Sequence, residues 1–175
     1  MNNLSFHITD IAGNSVRAGA TGIVLTIEEK KKKITICIAD NGCGMDKETL
    51  ATVTDPFYTT RTTRKVGLGI PFLIQSAEQT GGSVAIKSEP GKGTEVKACF
   101  ISSHIDCPPW GDLSGTVAML ITGNPDINII FSYHADGIDY AISSEAIKEV
   151  IDDVPLSYPK VMLLIKDMIC GNIDK

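Results

Sequence analysis

Ile34-Thr35-Ile36-Cys37-Ile38-Ala39-Asp40-Asn41-Gly42-Cys43-Gly44-Met45 is an alternating strand that runs straight into a glycine turn. Its isoleucines at 34, 36 and 38 repeat with the period of two that sets one face of a strand against a core. The turn that follows carries glycines at 42 and 44, and glycine is the residue that lets backbone bend sharply or approach a ligand closely. Towards the N-terminus, Ile23, Leu25 and Ile27 alternate in the same way before Lys30-Lys31-Lys32-Lys33, so the two stretches predict a β-hairpin with a lysine-rich connection. The lysine run reads as a solvated turn.

Upstream again, Ile8, Ile11, Ala12 and Val16 recur at three- and four-residue spacing while His7, Asp10, Asn14 and Arg17 form a polar stripe, which predicts an amphipathic helix over 6–18. Asp10, Asn14 and Arg17 stand at i, i+4 and i+7 and so share one face. A carboxylate, an amide oxygen and a guanidinium in line suit a water nucleophile, a Mg2+ ion and a phosphate; they also suit an ordinary solvent-facing stripe. His7 reads as a structural residue of this helix.

Downstream of the glycine turn, a short helix over 47–53 precedes a Thr-, Arg- and Lys-rich stretch that runs to Val66. Gly67-Leu68-Gly69 then opens a helix over 70–79, with Pro71 in the first turn where its missing N–H costs nothing. A glycine turn opening a helix points unpaired N–H groups at an anion, although each such turn taken alone is also simple punctuation. Gly81-Gly82 stops the helix, and Val84–Ser88, Gly91-Lys92-Gly93 and Thr94–Ile101 make a second hairpin. Helix, two strands, short helix, loop, helix, two strands predicts an α+β fold, a two-layer α/β sandwich of about 100 residues. After Ser103 come a helix over 112–123, a hairpin joined through Asp136-Gly137, and helices over 144–152 and 157–169. The predicted organisation is therefore a domain over 1–103 and a small α/β appendage over 104–175 that leans on the first for its core.

The chain has 175 residues, 43% of them hydrophobic, and 16 Lys+Arg against 21 Asp+Glu give a net charge of −5. That balance offers no long-range attraction to nucleic acid or to an anionic membrane. Apolar runs are far shorter than a membrane span, and no basic-then-apolar leader stands at the N-terminus, so neither a membrane segment nor a signal peptide is expected. Cysteines at 37, 43, 99, 107 and 170 are odd in number and form no CxxC pair, which reads as reduced thiols in a cytoplasmic protein. His104-Ile105-Asp106-Cys107 lacks the four ligands of a structural zinc site and reads as a loop.

Taken together, the motifs resemble those of the GHKL ATPases, the family of histidine-kinase catalytic domains, gyrase- and MutL-type ATPases, a heat-shock chaperone family and anti-sigma-factor kinases. Asp10–Thr21 is similar to the family's N box, Asp40–Met45 to the first glycine box, Asp55–Thr60 to the phenylalanine box, Gly67–Ile70 to the second glycine box and Gly91–Thr94 to the third. Five boxes in order are a specific signal. The resemblance implies the Bergerat ATP-binding fold, with ATP and Mg2+ as ligands. It implies that Asn14 holds Mg2+, that Asp40 accepts a hydrogen bond from the adenine amino group, that Gly42 and Gly44 admit the base, and that Thr94 fixes it through water. Gly67, Leu68 and Gly69 would cradle phosphates, Arg17 would add a phosphate contact, and residues 58–66 would form a short lid offering Arg61, Arg64 and Lys65 to the γ-phosphate.

Three positions depart from the family pattern. Arg17 stands where MutL and gyrase types carry Asp, and histidine kinases often place a basic residue there. Asp10 stands where many members have Glu as general base, and Lys65 where the second glycine box usually starts with Gly. With nine residues before Asp10, the dimerisation and phospho-acceptor helices of a sensor kinase are not expected ahead of the N box, and the chain is also similar to small stand-alone kinase-like proteins of anaerobic bacteria. The expectation is a histidine-kinase-like phosphotransferase or ATPase, with Asp10 and Arg17 as its catalytic residues, that acts on a protein partner in trans. Its appendage would serve partner recognition or homodimerisation. The rival expectation is an ATP-hydrolysing conformational switch without kinase activity.

Overall fold

The computed structural model describes residues 3–55 and 68–173. Helix α1 spans Leu4–Arg17, and the Asn3 side chain caps it by accepting the Phe6 N–H at 2.7 Å. Strands β1 (Gly22–Lys30) and β2 (Lys33–Asp40) form the predicted hairpin. Helix α2 (Lys47–Thr54) starts at Asp46, whose side chain accepts the Thr49 N–H at 2.7 Å. Helix α3 (Gly69–Gln79), strands β3 (Ser83–Glu89) and β4 (Gly93–Ile101), and helix α4 (Leu113–Gly123) follow, the last capped by Asp112. Strands β5 (Asn128–Ala135) and β6 (Ile138–Ser143) and helices α5 (Ser144–Ile151) and α6 (Pro159–Ile173) come last among the described residues.

Among the described residues, six strands form one sheet in the order β3-β4-β2-β1-β5-β6. Every pairing is antiparallel except β1 with β5, which run parallel from Gly22↔Asn128 to Glu28↔His134. Because side chains alternate across a strand, this register lines up Leu25, Ile38 and Phe131 on one face together with Ile36, Ala98 and Phe100. That face is buried under the helices, and the other carries Glu28, Lys97 and the half-exposed Val24–Ile130 pair. The result is an α+β, two-layer architecture.

Residues after 103 extend the same sheet and share its core: Leu113, Val117, Ile129, Phe131 and Ile165 join Leu4, Ile8 and Leu25 in one buried cluster. Burying each such side chain contributes about 1.5–3 kcal/mol, so β5 and α4 stabilise the sheet as well as extending it. The connection into α4 is also tied to the start of α1. Leu4 and Ser5 N–H groups donate to Pro109 O (2.9 Å) and Trp110 O (3.0 Å), and the Ser5 hydroxyl donates to Trp110 O at 2.5 Å. Among the described residues no helix is long and apolar enough to cross a membrane.

Candidate functional site

At its C-terminal end β2 delivers Asp40 to the point where α1, the glycine turn and β4 meet. Asp40 Oδ2 accepts the Ser15 hydroxyl at 2.5 Å, and Oδ1 accepts the N–H of Gly42 at 2.9 Å and of Thr94 at 3.3 Å. A carboxylate offers about four acceptor sites, so three donors fix its plane and leave it able to accept one more hydrogen bond. Ser88 extends the network from β3: its Oγ accepts the Met45 N–H at 2.8 Å, donates to Gly93 O at 3.1 Å and lies 2.8 Å from Thr94 Oγ1.

The turn geometry explains two of the glycines. Gly44 has φ +66°, and a Cβ there would lie 2.0 Å from Glu89 O; Gly93 has φ +108°, and its Cβ would lie 1.9 Å from Asp40 O. Both positions combine left-handed backbone with direct contact against main chain, so no side chain fits. At Gly42, a Cβ would sit 2.8 Å from the Ala18 methyl. The glycine turn is thereby pressed against the end of α1 on one side and the β3–β4 turn on the other.

Between these elements lies a cavity of about 520 Å³. Ile11, Met45, Val53, Ile70 and Val96 give it apolar walls, and Asn14, Arg17, Asp40 and Thr94 supply its polar groups. Size and lining match a small-molecule site, in which a few convergent polar groups orient a mostly buried ligand. On the rim, Arg17 Nη2 donates to Asn14 Oδ1, so two of the three stripe residues are joined. Asp10 lies one turn earlier, half-buried against the start of α3: a Cβ at Gly69 would be 3.0 Å from Asp10 Cβ and 3.3 Å from its Oδ2. Leu68, exposed, occupies the N-cap position of α3 without a side-chain cap, which leaves the helix's first N–H groups to other acceptors. Arg61, Arg64, Lys65 and Gly67, with the rest of 56–67, lie outside the described residues.

His7, one turn before Asp10 and 1% exposed, points away from the cavity into the core, with Nε2 3.1 Å from Ser76 Oγ and its ring stacked near Phe100. Burial pushes its imidazole pKa down, partly opposed by the Asp10 carboxylate.

Ser15 and Ser88 are site residues that sequence reasoning did not single out. Ser15 had a signal. It continues the buried stripe Ile8, Ile11, Ala12 at the next i+3 position, and a hydroxyl on a buried face needs a polar partner. Ser88 had none, because its role exists only once β3 pairs with β4 and the glycine turn folds over both.

The family described as "Histidine kinase-, DNA gyrase B-, and HSP90-like ATPase" matches residues 3–103, the stretch that contains this cavity. The chain belongs to this family. As a GHKL ATPase domain it is homologous to histidine-kinase ATP-binding domains. It is 34% identical over 95 residues to sporulation kinase C of Bacillus subtilis, covering 53% of this chain and 22% of the relative. It is also 34% identical over 101 residues to sensor protein SrrB of Staphylococcus aureus, covering 54% of this chain and 17% of the relative. The matched stretch is thus less than a quarter of the length of these kinases. Among solved structures, the Aquifex aeolicus MutL ATPase domain complexed with ADP superposes with a TM-score of 0.52 at 17% identity, covering 86% of this chain and 69% of that one. At this identity the likeness is one of fold. A share of 86% also means that the likeness in fold includes residues after 103.

Proposed function

We propose that the protein binds Mg-ATP in the Asp40 cavity and transfers the γ-phosphoryl group to a protein partner in trans. The observation that carries this reading is the Asp40 carboxylate, held by Ser15, Gly42 and Thr94 with acceptor capacity to spare at the mouth of an apolar cavity. An adenine amino group is the donor that such an acceptor, set among apolar walls, suits best. Gly42 and Gly44 shape the turn along which the base would lie, and Thr94, linked to Ser88, would orient a bridging water.

The donor set fits the rest of the ligand. Asn14 offers a neutral amide oxygen on the cavity rim, the hard ligand that Mg2+ takes alongside waters and phosphates. When bound, Mg2+ would neutralise phosphate charge. Arg17, now bonded to Asn14, would turn to a phosphate oxygen, as would Arg61, Arg64 and Lys65. The start of α3, with Gly67, Leu68 and Gly69, would add backbone N–H donors. Asp10, packed against Gly69, is the carboxylate that would accept a proton from the attacking group. In the transfer the bond from the γ-phosphorus to the bridging oxygen breaks, the partner's nucleophile forms the new bond, and ADP leaves; positioning and charge do most of this work.

The test is incubation with γ-labelled Mg-ATP, alone and with a lysate of the source organism, beside Asp10→Asn and Asn14→Ala. Label on a partner, lost in both variants while Asp10→Asn still binds ATP, is the expected result. Phosphate release without labelled protein would replace this reading with the ATP-driven switch, and absence of ATP binding would remove both.

A further inference from the structure

The opposite end of β2 carries a second concavity that the nucleotide reading does not use. It is a cavity of about 430 Å³ lined by the lysines at 30–33 together with Glu29, Ser102 and Tyr133, and by Ala135, Asp136 and Ile138 of the β5–β6 hairpin. Eight residues of strand put it roughly 23 Å from Asp40, at a rise of about 3.3 Å per residue.

Three observations set it apart from a solvated turn. The two-residue connection puts Lys31 at φ 50° and Lys32 at φ 63°, positions that Asn-Gly or Gly-Gly would fill without strain. The strain is held in place, since Lys32 O accepts the Ser102 N–H at 2.9 Å. Second, among the described residues none of the four ammonium groups enters an ion pair; they stand exposed and like-charged in a chain whose net charge is −5. Third, the half-buried Glu29 carboxylate in the same lining is already engaged, because its Oε1 accepts the Tyr133 hydroxyl at 2.6 Å. Backbone strain and four ammonium groups that enter no ion pair among the described residues, brought together at one place, mark a position chosen for something outside the fold.

We propose that this cavity docks an acidic segment of a partner protein, its carboxylates taken by Lys30–Lys33 and an apolar side chain resting on Ala135 and Ile138. The four lysines share the cavity with the Glu29 and Asp136 carboxylates, and so small an excess of positive charge favours discrete carboxylates over the continuous charge of a nucleic-acid backbone. The inference stands apart from the nucleotide reading and concerns a different end of the sheet.

Fluorescence anisotropy with a fluorescein-labelled peptide of alternating Glu and Leu tests it on the full chain. The variant Lys31→Asn/Lys32→Gly installs the residues that such a turn favours, so folding is protected while two charges go; Lys30→Gln/Lys33→Gln removes the other two. The expected result is binding that weakens with salt and falls about tenfold in each variant, with ATP affinity unchanged. No binding by the unmodified protein, or equal binding by the variants, would overturn the proposal. Tighter, lysine-dependent binding of a single-stranded oligonucleotide would overturn it in favour of nucleic acid. ATP binding, measured alongside, fails or survives independently and so separates this proposal from the previous one.

Discussion

At the Asp40 end of β2, three donors converge on one carboxylate and glycines stand wherever a side chain would strike backbone; at the Lys33 end, lysines hold two left-handed positions that glycine would take without strain. The first end is built to internal requirements, since each residue there is demanded by a neighbour in the same chain. The second end violates a local rule, and its four ammonium groups enter no ion pair among the described residues. Substitutions at the two ends should therefore differ in sign as well as in size.

The largest effect is expected from Gly93→Ala. Its Cβ would lie 1.9 Å from Asp40 O at a φ of +108°, and neither atom belongs to a flexible side chain. Overpacking and left-handed strain together should cost on the order of 4 kcal/mol, read as a fall in melting temperature of about 10 °C. A loss below about 1 kcal/mol would mean that the turn is looser than its contacts imply. Next comes Asp40→Ala, which strands the Ser15 hydroxyl and the Gly42 and Thr94 N–H groups. A cost of about 2–3 kcal/mol and a loss of ATP affinity of about 100-fold are expected, measured by denaturation and calorimetry.

Ser88→Ala should cost about 1 kcal/mol, because the Met45 N–H loses its acceptor and Thr94 Oγ1 its neighbour. If the cost were nil, water would be serving that N–H and the network would matter less than its distances suggest. At the other end, Lys31→Asn/Lys32→Gly should raise stability by about 1 kcal/mol, a gain of about 2–4 °C in melting temperature. A fall instead would show that the lysine stems make folded-state contacts, which would weaken the contrast between the two ends of the strand.

What was legible in the sequence follows the same division. Alternating isoleucines at 34, 36 and 38 and the three- and four-residue spacing in α1 announce buried faces, because periodicity is fixed by local geometry. The glycine boxes announce a turn that nothing else can make. Pairing partners are another matter: the alternation of Ile129, Phe131 and Tyr133 shows that β5 has a buried face but not that it runs parallel beside β1, since that choice depends on the whole packed layer. Ser88 stayed hidden for the same reason, as a serine in a strand carries no pattern until its neighbours are known. The lysine run was visible as charge, whereas the positive φ values that make it unusual belong to the backbone alone.

The smallest effect concerns His7, which lies under the site without facing it. Burial holds its pKa below the ordinary 6.5, so the unfolded chain takes up the proton more readily than the folded one. Stability rises with pH wherever the unfolded state binds more protons; the contribution is therefore complete above pH 6.5 and is lost as pH falls from there towards the lower folded pKa. His7→Gln removes this titration and keeps a polar group near Ser76. Urea midpoints measured from pH 7.5 down to about pH 5 should thus fall less steeply in the variant than in the parent, with the carboxylates common to both cancelling in the difference. Parallel curves would mean that the imidazole finds a partner for its proton inside the fold, and among the described residues Asp10 is the carboxylate within electrostatic reach. In that case the residue proposed as the base would be coupled to the core as well as to the cavity, and its Asn substitution would shift the stability profile along with the chemistry.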